Sequence, residues 1–229
     1  KWMIDALQDA LRVEASRVDY LGPILANSGS TINVATLNYD KSIELLAERA
    51  GVSVDTGVRS WSGGYDWRWD PEARVRLLKL HGSLDWYLER EKGALMETDR
   101  VVIWPDGDTK KPFYGSLAVV FGQGVKLRSD GPFLAMLHEF DEFLSSTDRL
   151  VIAGYSMRDD HINAAIRRWL NRHPDPKLTI IDPFPPASRG TSTFYGELLY
   201  AMSDHAHPGD PNGALKDGHQ ILQMFAPQD

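Results

Sequence analysis

The chain has 229 residues, 42% of them hydrophobic and 25% charged, which is globular composition and excludes bulk disorder. Lys and Arg number 25 against 32 Asp and Glu, a net charge of −7 that excludes a chain-wide grip on nucleic acid but leaves room for a local phosphate pocket. There is no cysteine, which excludes disulfides, a cysteine nucleophile and every thiolate zinc site, and suits a cytoplasmic protein.

No apolar run approaches the ~18 residues that span a bilayer, so no membrane is expected as a partner. The start, KWMIDALQDALRVEASRV, carries acids within its apolar pattern and does not read as a signal peptide. It begins without Met and in mid-helix, so the chain is expected to be a fragment of something longer. A length of this order is compatible with one large domain or two small ones.

In chain order, residues 1–21 place Trp2, Ile4, Leu7, Leu11 and Val18 at roughly helical spacing. The loop LGPILANSGS follows, and then TINVATLNYD reads as a strand closed by polar residues. KSIELLAERAG is a short amphipathic helix ended by Gly51. Residues 51–75, rich in Gly, Trp and Asp, are expected to form an irregular excursion. VRLLKLHG is the next strand, running into a loop at Gly82. Residues 86–131 hold the short strands VVIWP and LAVVFG between Gly, Pro, Asp and Lys turns, which predicts an inserted lobe.

From residue 132 the alternation is regular. PFLAMLHEFDEFLSS is an amphipathic helix, DRLVIAGYS an apolar strand opening into a polar turn, and DDHINAAIRRWLNRH a helix with Asp159 or Asp160 near its N-cap. KLTII is a further strand, ending at Asp182 and a proline-rich turn. The tail beyond 188 holds one helix, TSTFYGELLYAM, and a loop rich in Gly, Pro, Asp and His. Apolar strands alternating with helices predict an α/β fold: a Rossmann-like parallel sheet with helices on both faces.

Ligands of open parallel sheets sit at the carboxyl ends of the strands. Four strand ends here carry polar residues: Asn38-Tyr39-Asp40, His81-Gly82-Ser83, Gly154-Tyr155-Ser156 and Asp182-Pro183. Each has a plain alternative. Asn38 and Asp40 suit the turn and cap before a helix; His81 suits a histidine bonded to backbone; the other two suit ordinary turns. As a set they predict one shared cleft.

TLNYD at 36–40, KLHGSLDW at 79–86, IAGYSMRDDHIN at 152–163 and TIIDPFP at 179–185 together resemble the sirtuin-like domains of bacterial NAD-hydrolysing defence proteins. True sirtuins share the order of an Asn-x-Asp strand end, a His-Gly, a Gly-Thr/Ser-Ser turn and a late acidic or amide strand end. The Tyr-Asp of TLNYD, the Ser-Leu-Asp-Trp after His-Gly and the long DDHIN extension resemble the defence branch more closely. The likeness runs over roughly residues 31–186, and it makes residues 1–229 a single sirtuin-like domain with an inserted lobe at about 86–131.

Two features depart from true sirtuins. Their Gly-Ala-Gly-x-Ser-type phosphate loop has no equivalent here, so the resemblance places the first strand and that loop upstream of Lys1. Their four-cysteine zinc module is absent too, which bears against peptide deacylation more than against NAD chemistry.

The resemblance implies cleavage of NAD at the nicotinamide–ribose bond to nicotinamide and ADP-ribose, by the toxic effector of an antiphage system. It implies that Asn38 holds a ribose hydroxyl or the attacking water, and that His81 is the general base. By the same match, Asp40 accepts from the nicotinamide carboxamide. Gly154, Tyr155 and Ser156 receive a phosphate or the adenosine ribose, Asp182 accepts from the adenosine ribose diol, and Thr36 and Gly82 border the cofactor. NAD is then the substrate and no metal takes part. The implied partners are further copies of the chain, or a sensor or partner subunit, with no direct nucleic-acid binding. The alternatives are a non-catalytic module that senses NAD or ADP-ribose, or scaffolds, and an NAD-dependent protein deacylase.

Other features carry less. Trp61, Trp67 and Trp69 are expected in surface or interface packing. His205 and His207 read as a solvated loop and not a metal site. Arg167 and Arg168 read as a solvated helix face. Capping and packing account for Asp159, Asp160 and Asn163.

Overall fold

The computed structural model describes residues 6, 10–11, 13–25, 30–93, 95–104, 116–120, 131–182, 194–198 and 220–225, with backbone alone for 15, 116, 182 and 220–225. It divides into two compact units, Lys1–Phe140 and Asp141–Asp229. The fold is α/β, with parallel sheets and helices in a Rossmann-like arrangement.

In the first unit, strands β1 (Ile32–Thr36), β2 (Val54–Asp55) and β3 (Val75–Lys79) form a parallel sheet in the order β1-β3-β2. The register pairs Thr36 with Lys79, so both strands end at the same edge. Helix α1 (Ser42–Ala50) makes the crossover. Its Leu46 and Ala47 are buried with Val18, Leu25, Val75 and Leu77. Gly51 ends the helix with its N–H bonded to Glu48, and Val52 donates to Ala47 and packs on that core.

The expected helix over 1–21 is described only in part. There the chain makes 3-10 turns at Ala15–Arg17 and Asp19–Leu21, and a short helix Gly22–Leu25 stands where a loop is predicted.

The excursion after α1 is more ordered than its composition predicts. The Asp55 carboxylate accepts the backbone N–H of Gly57 at 2.9 Å and of Asp70 at 2.7 Å, tying the two ends of the loop together. Trp61 is 4% exposed and Trp67 8%, so both are core residues and not the surface packing expected of them. Trp69 stacks edge-on against Trp67 and donates to Glu139 at 3.0 Å. A glycine-rich stretch leaves space that large indoles fill, which composition read as irregularity cannot show.

An antiparallel sheet follows, in the order β5-β4-β6, from β4 (Gly82–Lys92), β5 (Glu97–Ile103) and β6 (Ser116–Val119). This sheet lies in the region of the predicted lobe, and its strand β4 begins at Gly82. The 11-residue β4 takes in Gly-Ser-Leu-Asp-Trp, where the sequence predicts a loop from Gly82. It sits between two partners, and that cross-strand burial outweighs its mixed composition. Much of 105–131 lies outside the described residues.

Helix α2 (Phe133–Ser145) contains the division between the units. In the second unit, β7 (Arg149–Ala153), β8 (Lys177–Asp182) and β9 (Gln220–Phe225) form a parallel sheet in that order. The strand β9 lies in a tail predicted to be helix and loop. Helix α3 (Asp160–Arg172) connects β7 to β8 and buries Ile162, Ala165, Ile166 and Trp169, the i, i+3, i+4, i+7 stripe of a core-facing helix. Trp169 also donates its indole N–H to the Thr147 carbonyl at 2.8 Å. Residues 194–198 are helical, within the predicted TSTFYGELLYAM helix.

Candidate functional site

The parallel pairing of β1 and β3 brings two of the predicted polar strand ends together. After Thr36 the chain turns through Leu37-Asn38-Tyr39 to Asp40, and after Lys79 it turns through Leu80 and His81 into β4. The two turns are fastened to each other by main-chain hydrogen bonds. The Leu80 N–H donates to the Thr36 carbonyl at 2.9 Å, and the Leu84 N–H donates to the Tyr39 carbonyl at 3.3 Å. The Ser83 hydroxyl also donates to the Tyr39 carbonyl, at 3.4 Å.

Asn38 stands exposed on the first turn, with its backbone N–H bonded to Thr36 Oγ1 at 3.1 Å. That bond uses the Thr36 hydroxyl to shape the turn. Asp40 Oδ1 accepts the Ser42 N–H at 2.9 Å, the helix-opening role that sequence allowed.

His81 is half-buried, and its ring lies 6.3 Å from that of Tyr39 at an interplanar angle of 31°. The Tyr39 hydroxyl donates to the Val120 carbonyl at 2.6 Å, while the His81 carbonyl accepts the Val120 N–H at 3.0 Å. Partial burial pushes the Tyr39 phenol pKa up, which keeps it a donor at neutral pH.

Gly82 has a structural reason of its own. Its φ is +85°, and a Cβ there would lie 1.9 Å from the Ala118 carbonyl oxygen. The close approach of β4 to β6 therefore requires glycine, whatever the residue does toward a ligand.

Lys79 was not singled out by sequence reasoning. It is completely buried, yet its ammonium donates to the Asp40 carbonyl at 2.6 Å and to Glu44 Oε1 at 2.8 Å. A lysine as the last residue of an apolar strand was the available signal. Lys41 and Asp85 form an ion pair at 3.4 Å on the same unit.

In the second unit, β7 and β8 also end at one edge, and Gly154 follows the first of them. Gly154 takes φ +64°, no atom of the described residues lies within 4 Å of where a Cβ would stand, and its N–H bonds the Ile181 carbonyl at 3.1 Å. Ser156 is exposed. The Tyr155 hydroxyl accepts the Asp159 N–H at 3.2 Å and donates to Asn163 Oδ1 at 2.9 Å. Asn163, 4% exposed, donates its amide to the carbonyl of Met157 at 2.9 Å. Met157 has φ +58°, a conformation costing about 1–3 kcal/mol that this bonding holds in place. Desolvation pushes the Tyr155 pKa up strongly, so the phenol stays neutral.

Tyr155 thus braces the turn from inside. Asp159 caps α3, its carboxylate accepting from the N–H groups of His161 and Ile162. Arg167 pairs with Glu197 and Arg168 with Asp141, both at the surface. Asp182 ends β8, paired with Phe225; its side chain lies outside the described residues, as do His205 and His207.

Among the described residues there is no group of three or more metal-ligating side chains, and no helix is long and apolar enough to cross a membrane. A family model described as a SIR2-like domain matches residues 32–196. No curated protein matches the chain significantly.

Proposed function

The chain belongs to the SIR2-like domain family, whose members use NAD and include NAD-dependent enzymes, and on that premise we propose that it hydrolyses NAD at the nicotinamide–ribose bond. One observation carries this reading. The turn bearing Asn38 and Asp40 and the turn bearing His81 are stitched together by hydrogen bonds at one sheet edge. Separation of Asn38 and His81 along the chain is overcome by parallel pairing, which supports their action on a single substrate atom.

The chemistry asks little of the protein beyond placement. Nicotinamide in NAD is already cationic and leaves without an acid. As the C1′–N bond breaks, the ribose develops oxocarbenium character. Water then bonds to C1′ and loses its proton to the His81 imidazole, which passes it to solvent. The Asn38 amide both donates and accepts, which suits it to hold that water or a ribose hydroxyl. Exposure of Asn38 and half-burial of His81 agree with roles toward a ligand. The positive φ of Gly154, with no described residue near its Cβ position, and the exposure of Ser156 favour the second turn as the place for a phosphate or the adenosine ribose. Asp182 at the end of β8 suits the ribose diol.

The wider reading is a zinc-free, cytoplasmic antiviral effector of the bacterial antiphage branch, acting as a homo-oligomer or with a sensor subunit. It rests on the TLNYD, KLHGSLDW and DDHIN segments and the absence of cysteine. Residues 1–229 form one sirtuin-like domain in this reading, supported by a family match that runs across the division between the two units.

The test is nicotinamide release from NAD by the activated full-length protein. His81→Ala and Asn38→Ala should each lose at least ~100-fold in turnover, the scale of a general base or its partner. Full activity in both variants rejects the assignment. Calorimetric NAD binding without turnover would instead mark a sensing module, and acyl-ADP-ribose formed from an acylated peptide would mark a deacylase.

A further inference from the structure

We infer that Lys79 is a positioning residue for this reaction, acting through the turn that presents Asn38 and Asp40. The inference rests on the proposed NAD hydrolysis for its consequence, but not for its structural content.

Three carbonyls of the 36–40 turn are each taken by a donor from 79–84. Thr36 accepts from the Leu80 N–H, Tyr39 from the Leu84 N–H and the Ser83 hydroxyl, and Asp40 from the Lys79 ammonium. The Leu80 and Leu84 bonds follow from the main-chain course of β3 and β4. The third depends on one side chain.

Burying an ammonium is costly unless it is paired and hydrogen-bonded. Lys79 meets that condition with two oxygens from a single short segment, the Asp40 carbonyl at 2.6 Å and Glu44 Oε1 at 2.8 Å. Glu44 lies in the first turn of α1, so the ammonium ties the end of β3 to both the turn and the helix that follows. An apolar residue would fill the same volume without holding the turn. The arrangement trades apolar packing for a defined position of residues 37–40, and these include two groups assigned to the substrate.

The residue does not touch the reacting atoms in this scheme. Its removal should shift Asn38 and Asp40 and so lower kcat, where misplacement by about 1 Å costs on the order of 100-fold.

The experiment uses the full-length protein with Lys79→Met, which preserves an unbranched apolar stem and leaves the partly exposed Glu44 carboxylate able to reach water. Lys79→Met with Glu44→Gln is the companion, removing both charges. Amide hydrogen exchange and steady-state NAD kinetics are measured on both. Exchange over residues 37–42 should rise at least tenfold while β1 and β3 keep their protection. The kcat should fall about 10- to 100-fold with KM changed less than threefold.

Unchanged exchange in the turn overturns the inference. So does exchange that rises evenly through the whole sheet while the folded fraction keeps wild-type kcat, because Lys79 would then be a core residue only. Failure of both variants to fold has the same meaning. Should the wild-type protein release no nicotinamide, the proposed function falls on its own, and the exchange pattern still decides whether Lys79 holds the turn.

Discussion

Asp40 separates a structural duty from a chemical one. Its Oδ1 accepts the Ser42 N–H at 2.9 Å in the turn that leads into α1, while the proposed role toward NAD would fall to Oδ2. Asp40→Ala removes both. The lost turn hydrogen bond costs about 1 kcal/mol, within a range of ~0.5–1.5, which for a protein of this size lowers Tm by roughly 2–4 °C. Asp40→Asn keeps an oxygen for Ser42 and should change stability by only a few tenths of a kcal/mol. It also places an N–H where the carboxamide of nicotinamide offers its own N–H. A hydrogen bond to a charged group is worth about 1.5–3 kcal/mol, so kcat/KM for NAD should fall roughly 10- to 100-fold in Asp40→Asn. Urea or thermal unfolding and nicotinamide release, run on the same preparations, read the two effects separately. A kcat/KM for Asp40→Asn within twofold of wild type would refute the chemical role and leave Asp40 as a turn residue alone.

Gly82 and Gly154, both at positive φ, should behave differently. In Gly82→Ala the new Cβ meets the Ala118 carbonyl at a φ of +85°, so at least ~2 kcal/mol of stability and the β4–β6 pairing should be lost, as seen in chemical unfolding. Among the described residues Gly154→Ala meets nothing within 4 Å and carries only the left-handed penalty of about 1–2 kcal/mol; NAD affinity by calorimetry should drop if the backbone there approaches the ligand. Equal destabilisation by the two would contradict the geometry. Tyr155 titrates to a charged form that its surroundings disfavour. Its folded pKa lies above the unfolded value, so the stability it contributes is complete below about pH 10 and declines as pH rises through and beyond that value. Tyr155→Phe should flatten this alkaline decline. It should also cost about 1–3 kcal/mol at neutral pH, because the buried Asn163 carbonyl loses its donor.

Much of the architecture was legible in local pattern. The apolar stripe of α3, the amphipathic α1 stopped by Gly51, and the strands β1, β3, β7 and β8 each follow from periodicity and capping within a window of about 10 residues. The strands β2 and β9 were not legible, since β2 has two residues and β9 lies in a tail of mixed composition. Both exist because a neighbouring strand offers its unpaired main-chain groups, Val75–Arg76 for β2 and Lys177–Asp182 for β9. The burial of Trp61 and Trp67 was missed for a related reason: composition reports what a segment contains, while its packing depends on distant residues.

The candidate site divides along the same line. Residue order alone put Asn38, Asp40, His81 and Gly154 at strand ends, because an apolar run that stops at polar residues marks the edge of a sheet. Tertiary structure decided what each group is committed to. It turned Asp40 toward Ser42, set Tyr155 inward against Asp159 and Asn163, gave Gly82 a packing duty beneath Ala118, and buried Lys79 under the turn it holds. The spacing of residues along a chain limits which segments can meet. Only the register of paired strands, set by summed burial and main-chain hydrogen bonding over the whole sheet, selects which atoms do.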